Sequence, residues 1–392
     1  MMHEKYYQQF LDDNPYPRSL KSPEVIQGFS SIYHHENGRR IINFSSSDYL
    51  GLANHPLLIE RAHEFAKRYG VGSSASRLVT GNMDCYAELE SSLARALGKP
   101  AALILASGYQ TNQSVLEALF NADVLKGEPL VFCDKYCHSS ILSGMSSLTR
   151  VHRFRHNDFT HLQLLLKKYA VSDRPKFILA ESIYSMEGDE ADLHHLCQIA
   201  KQYNAFLYID DAHSLGIYGK NGFGKASEHA EDISVIMGTF SKALGSFGGF
   251  VACSDTVKKY LVNKCKGLIY STGLSPAILG AMSAAIELLP EMQLAREKVL
   301  KRAEDVRAFF REKNLDDGHS TTHIIPWIIG DAAKTRDISR LLEQQGILGT
   351  AIQPPSVPVG RSRIRFCLSA AHSEADMEHF YHVIERVSTK NQ

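Results

Sequence analysis

No charge of either sign dominates this 392-residue chain, in which 43 lysines and arginines balance 43 aspartates and glutamates. Proteins that bind DNA, RNA or anionic lipid usually carry a basic excess, so neither nucleic acid nor membrane is expected as a partner. Long apolar runs are missing too. A run such as Ala101 to Ala106 falls far short of the ~20 residues that a membrane-spanning helix needs. The first residues, Met1 to Gln9, are polar from the start and lack the apolar core of a signal peptide. Cysteines are few: seven, an odd number, set mostly within apolar segments, as in compartments where thiols stay reduced. No period of roughly 20 to 50 residues repeats and no low-complexity tract occurs, which argues against a solenoid or a string of modules. A cytoplasmic globular protein is expected.

What is present fits that class, with 44% hydrophobic and 22% charged residues. Short apolar runs alternate with longer amphipathic ones. Ala101–Leu105, Leu130–Cys133, Lys176–Ala180, Phe206–Asp210, Ile233–Met237 and Gly249–Cys253 read as buried strands. Helix-length segments separate them, and the pattern predicts an α/β fold with a mostly parallel sheet covered on both faces. Ligand is then expected at the carboxyl ends of the strands. A long charged helix is expected from about Pro290 to Leu315. Beyond it, His323–Ile329, a helix near Thr335 to Gln345, Arg363–Leu368 and a last helix after Ser373 suggest a small α+β unit. The expected division is an arm over 1–45, a large α/β domain over 46–289 and a smaller C-terminal α+β domain over 290–392.

Four strand-end segments could carry chemistry. In Gly238-Thr-Phe-Ser-Lys242-Ala-Leu-Gly245, a lysine follows a buried strand among small residues. Such a lysine can simply reach out of a turn. It can also form a Schiff base, because partial burial lowers its pKa and small neighbours admit a flat cofactor. In Leu207-Tyr-Ile-Asp210-Asp211-Ala-His213, two carboxylates and a histidine sit where a strand ends. Alone this reads as a metal site or a helix cap. With Lys242 after the next strand, it fits the anion that pyridoxal phosphate needs at its ring nitrogen. Ser107-Gly108-Tyr109 opens a helix whose free N–H groups suit a phosphate, and Thr239 and Ser241 could hold that phosphate from beside the lysine. His138, in Asp134-Lys-Tyr-Cys-His138, serves equally as a cap or as a lid over a ring. Cys133/Cys137/His138 and His194/His195/Cys197 lack metal-site geometry, and no metal is expected.

The order Ser-Gly-Tyr, His138, Glu181-Ser-Ile-Tyr-Ser185-Met-Glu-Gly-Asp189, Asp-Asp-Ala-His and Thr-Phe-Ser-Lys resembles the α-oxoamine synthases. These are fold-type-I pyridoxal-phosphate enzymes, homodimers that join an amino acid to an acyl-CoA with loss of CO₂. Asn43–Leu52 and Leu268–Thr272 belong to the resemblance, which runs from Arg18 to about His372. Ala351–Pro358 with Arg363-Ile-Arg365 narrows it to the member that condenses L-alanine with pimeloyl-CoA, or with a pimeloyl carrier protein, on the way to biotin. A sister reaction with another pair, such as glycine and acetyl-CoA, is the alternative.

The resemblance implies that Lys242 holds the cofactor and moves the α-proton, that Asp210 pairs the ring nitrogen and that His138 stacks on the ring. It implies Ser185 and His213 at the phenolic oxygen, with Gly108, Tyr109 and Thr239 at the phosphate and Thr272 reaching in from a neighbouring subunit. Arg365 would hold the amino-acid carboxylate, a task suited to its planar fork. Arg18, Ser47 and Ser356 complete the expected substrate set. The chain departs from the family pattern at Ser47, where asparagine is usual, and at Ser74 and Ala75, where glycines are. Gln353 replaces an arginine and Ser356 a threonine. These changes bear on the substrates and leave the cofactor set intact.

Overall fold

Strands that are apolar along most of their length must be covered on both faces, and most of the central sheet is built from such strands. The computed structural model describes residues 3–16, 24–25, 32–34 and 40–389; Arg18 lies outside them. The seven strands are β1 (Ala101–Leu105), β2 (Leu130–Asp134), β3 (Val151–Phe154), β4 (Lys176–Glu181), β5 (Ala205–Asp210), β6 (Val235–Thr239) and β7 (Gly249–Cys253). Five of them, β1, β2, β4, β6 and β7, are buried at every residue. β3 is the strand that the apolar pattern overlooks. It lies at the sheet edge, its residues alternate in burial, and its sequence Val-His-Arg-Phe reads as polar.

The strand order is β1-β7-β6-β5-β4-β2-β3. β3, β2, β4, β5 and β6 run parallel, while β7 is antiparallel to both of its neighbours. The parallel strands therefore end together, and register sets Glu181 of β4 beside Asp210 of β5. Helix α1 (Gly108–Leu119) follows β1 and packs its Val115, Leu116 and Leu119 into the core. On another flank, Pro56–Tyr69 lies against Pro276–Leu288. Gly280 permits that approach, since a Cβ there would stand 2.4 Å from the Arg61 carbonyl oxygen.

The expected charged helix runs Gln293–Glu312, after a short 3₁₀ turn at Leu289–Glu291. Beyond it, Ile324–Gly330, Ser362–Cys367 and Thr350–Ile352 form a three-stranded antiparallel sheet with the helices Ala332–Gln344 and Glu374–Thr389. Arg40–Asn43 pairs in parallel with Ile347–Leu348, so the chain just before residue 45 is joined to this C-terminal part. Phe44 then buries its ring against His372 and Phe380. Among the described residues, no single helix is long and apolar enough to cross a membrane.

Candidate active site

The parallel strands end on a cavity of about 380 Å³. Its wall brings together Ser47, Gly108, Tyr109, His138, Ser185 and Asp210, and also His213, Thr239, Lys242 and Arg365. Ser356 lines a second cavity of about 410 Å³ that shares His138, Ser185 and Met186 with the first. Thr272 lies outside both; it bridges to Ser76. Gln353 accepts a hydrogen bond from Arg336 Nη1 at 2.6 Å and lines neither cavity.

One end of the cavity is made for an anion. Ser107 caps α1 by accepting from the Gln110 N–H (3.2 Å), which leaves the first N–H groups of the helix directed at the cavity end. Thr239 stands opposite, its hydroxyl 2.8 Å from that of Ser241 and 2.8 Å from the Gly248 carbonyl oxygen that it donates to. A Cβ on Gly108 would come within 3.2 Å of Thr239 Oγ1, so the bare glycine keeps this cradle open.

The deep wall holds Asp210 in a chain of hydrogen bonds. The Tyr208 phenol donates to Asn112 Oδ1 (2.8 Å), and Asn112 Nδ2 donates to Asp210 Oδ2 (2.7 Å) and to Ser140 Oγ (3.0 Å). Ser140 Oγ is 2.8 Å from His138 Nδ1, and the Ser140 N–H also points at that nitrogen (3.3 Å). Nδ1 is therefore an acceptor, which assigns the ring proton of His138 to Nε2. Burial holds this imidazole below its usual pKa against the pull of Asp210. The Ala212 N–H fixes the other Asp210 oxygen at 3.0 Å.

Beside Asp210, Glu181 is buried and its carboxyl is pushed well up, first by burial and then by Asp210. Burial and a second carboxylate in register both disfavour a charge on Glu181, which favours its protonated form. It accepts the His138 backbone N–H and so pins the loop that carries that histidine. His213 is buried and pushed well down, by burial and then by Lys242, which keeps it neutral. The Tyr49 phenol lies 2.7 Å from its Nδ1. Burial raises Tyr49, so the phenol keeps its proton, donates it, and leaves the His213 proton on Nε2.

Lys242 follows β6, and its side-chain amine makes no hydrogen bond or ion pair among the described residues. Burial brings its pKa down to about 8, partly offset by Asp210 and Glu181. Arg365 enters from Ser362–Cys367 and lies beside Tyr49 and Cys367. An amine near neutrality, a carboxylate across from it and an anion cradle are what pyridoxal phosphate requires, and the residues present fit it.

Glu181, Asn112 and Tyr49 went unassigned in the sequence. Each had a signal: Glu181 ends a strand in register with Asp210, Asn112 lies one helical turn after Gly108, and Tyr49 lies in the Asn43–Leu52 segment. Their roles depend on partners distant in the chain, 43 positions away for Glu181, 98 for Asn112 and 164 for Tyr49, which spacing alone does not reveal.

Comparison with known proteins adds a lineage. The family model for class I and II aminotransferases matches residues 39–384. A putative 8-amino-7-oxononanoate synthase of Paramagnetospirillum magneticum is 48% identical over 342 residues, 87% of each chain. The 8-amino-7-oxononanoate synthase of Gluconacetobacter diazotrophicus is 42% identical over 383 residues, covering 97% of this chain and 96% of that one. Among solved structures, a Sphingomonas wittichii serine palmitoyltransferase superposes with a TM-score of 0.89 at 24% identity, covering 99% of this chain and 96% of that one. At that identity the likeness is one of fold.

Proposed function

The chain belongs to the class I and II aminotransferase family, within its α-oxoamine synthases, and on that premise we propose that it makes 8-amino-7-oxononanoate from L-alanine and a pimeloyl thioester, releasing CO₂ and the thiol. The observation that carries the reading is the convergence of Lys242 and Arg365 on a cavity whose deep wall is Asp210. One amine, one carboxylate-binding fork and one buried anion have separate tasks there. The names of the relatives supply the substrates.

Pyridoxal phosphate, when bound, supplies an electron sink that stabilises negative charge at the α-carbon of the amino acid. Everything else falls to the chain. Gly108, Tyr109 and Thr239 hold the phosphate, Asp210 holds a proton at the ring nitrogen, and Ser185 and His213 donate to the phenolic oxygen. Lys242, with its pKa near neutrality, anchors the cofactor and then takes and returns the α-proton. Arg365 grips the alanine carboxylate, and Ser47 reaches it through a water where asparagine would reach directly. His138 covers the ring, and its Nε2–H is placed to donate to the thioester oxygen as charge develops there. Ser356 and Arg18 serve the acyl group, and Thr272 acts from the partner subunit of a homodimer. A carrier protein can present the acyl chain in place of CoA. The seven free, buried cysteines support a cytoplasmic setting.

The test is thiol release from pimeloyl-CoA by the purified protein loaded with pyridoxal phosphate, with L-alanine, with glycine and with no amino acid. Alanine-dependent release is expected. Release with glycine and acetyl-CoA but not with alanine and pimeloyl-CoA would move the chain to the sister reaction.

A further inference from the structure

Two loops supply cavity residues from beyond the strand ends: the one after β2 carries His138, and the turn after β4 carries Ser185. Between them lies His156, two residues past β3. Its Nδ1 is 2.9 Å from Asp134 Oδ1 and its Nε2 is 2.8 Å from Asp189 Oδ2. Both partners are carboxylate oxygens, so filling both bonds requires a proton on each ring nitrogen. Burial opposes that charge, but the bonds to Asp134 and Asp189 outweigh it and hold the imidazole up at about 9.

The two carboxylates reach onward into the loops. Asp134 is wholly buried and also accepts the N–H groups of Tyr136 (2.7 Å) and Asn157 (2.9 Å). Asp189 Oδ2 also accepts from Asn157 Nδ2 at 3.1 Å. The Asp189 carbonyl oxygen receives the Tyr184 N–H at 3.0 Å and closes the turn around Ser185. Each loop further contributes a ring: Tyr136 from the first and Tyr184 from the second each have a centroid 4.5 Å from that of His156, Tyr184 edge-on. Among the described residues, Asp134, Asp189, Tyr136 and Tyr184 are the titratable groups in contact with the imidazole. His138, Ser185 and Met186 line both cavities, so these two loops form the wall that the cavities share.

We propose that His156 is a positioning residue: as a cation clamped between Asp134 and Asp189, it fixes the spacing of the His138 and Ser185 loops and so the placement of both side chains in the wall that the two cavities share. In relation to catalysis this rests on the function proposed above; the clamp itself does not. A histidine raised in the fold contributes its bonds fully at low pH and loses them as the pH passes through its folded value.

The experiment is hydrogen exchange on the protein loaded with pyridoxal phosphate, corrected for intrinsic rates, from pH 7 to 10. Residues 135–138 and 184–189 are expected to lose about ten-fold or more of their protection as the pH rises through about 9, while β5 and β6 keep theirs. Asp189→Asn keeps an acceptor but removes one charge, and is expected to bring that loss to lower pH. His156→Gln is expected to loosen both segments already at pH 7. It should lower kcat for thiol release about ten-fold, with cofactor affinity changed by less than about two-fold. Should His156→Gln fail to fold, the Asp189→Asn series decides. Protection that does not change with pH in both wild type and Asp189→Asn would overturn the proposal. So would a His156→Gln protein that melts earlier but keeps its kcat and its loop protection. Exchange is read without substrate, so a protein that releases no thiol would count against the reaction and not against the clamp.

Discussion

Lys242 stands where the fold gives up some stability for reactivity. Its ammonium would titrate near 10.5 in the unfolded chain and near 8 in the folded one, because burial disfavours the charge. Between those values the unfolded chain binds more protons, so stability rises with pH across that window; below about pH 8 the full cost is present. Lys242→Met is therefore expected to stabilise the cofactor-free protein at pH 7, by on the order of 2 kcal/mol after allowance for solvent near the amine. The gain should fade as the pH approaches 10, and cofactor capture should be lost at every pH. Urea melts at pH 7 and 10 check this; an equal midpoint for both proteins at pH 7 would mean that the ammonium is well solvated in the fold.

Among the elements, α1 matters most to the site, because its amino end is one wall of the cavity. Ser107-Gly108-Tyr109 was legible as the opening of a helix whose free N–H groups suit a phosphate. The sequence did not show why glycine is needed. That reason is the 3.2 Å approach that a Cβ would make to Thr239 Oγ1 from β6. Gly108→Ala is thus expected to fold normally and to bind pyridoxal phosphate about ten-fold or more weakly, since a methyl group would occupy the anion cradle. Equilibrium dialysis measures it, and unchanged affinity would remove the amino end of α1 from the phosphate site. β3 gives the opposite lesson: its pattern is too polar to announce a strand, and it forms because β2 offers it a parallel edge.

For the whole molecule, the C-terminal part is locked onto the sheet through the turn that carries Ser185. Arg363 is buried, and its Nη1 binds Glu187 Oε2 (2.8 Å) and the Met186 carbonyl oxygen (2.7 Å). The Gly188 carbonyl oxygen receives the Thr322 hydroxyl from the same side at 2.8 Å. Removing one partner of a buried pair leaves the other without compensation, so Arg363→Met is expected to destabilise the protein by about 3 kcal/mol. A denaturant midpoint unchanged by this substitution would show that Glu187 finds water instead. The same strand carries Arg365 into the cavity, so the interlock also sets where that guanidinium stands.

The sequence by itself determined the fold class, the parallel central strands and the residues most suited to hold a cofactor. Continuous apolar runs admit few other arrangements, and lysine, aspartate and glycine at strand ends have narrow chemical uses. Only the tertiary structure decided which distant groups support them. Asn112 holds Asp210 across 98 positions, Tyr49 holds His213 across 164, and His156 links two loops through buried carboxylates. Such pairings arise from strand order and register, which bring together residues that no local pattern connects.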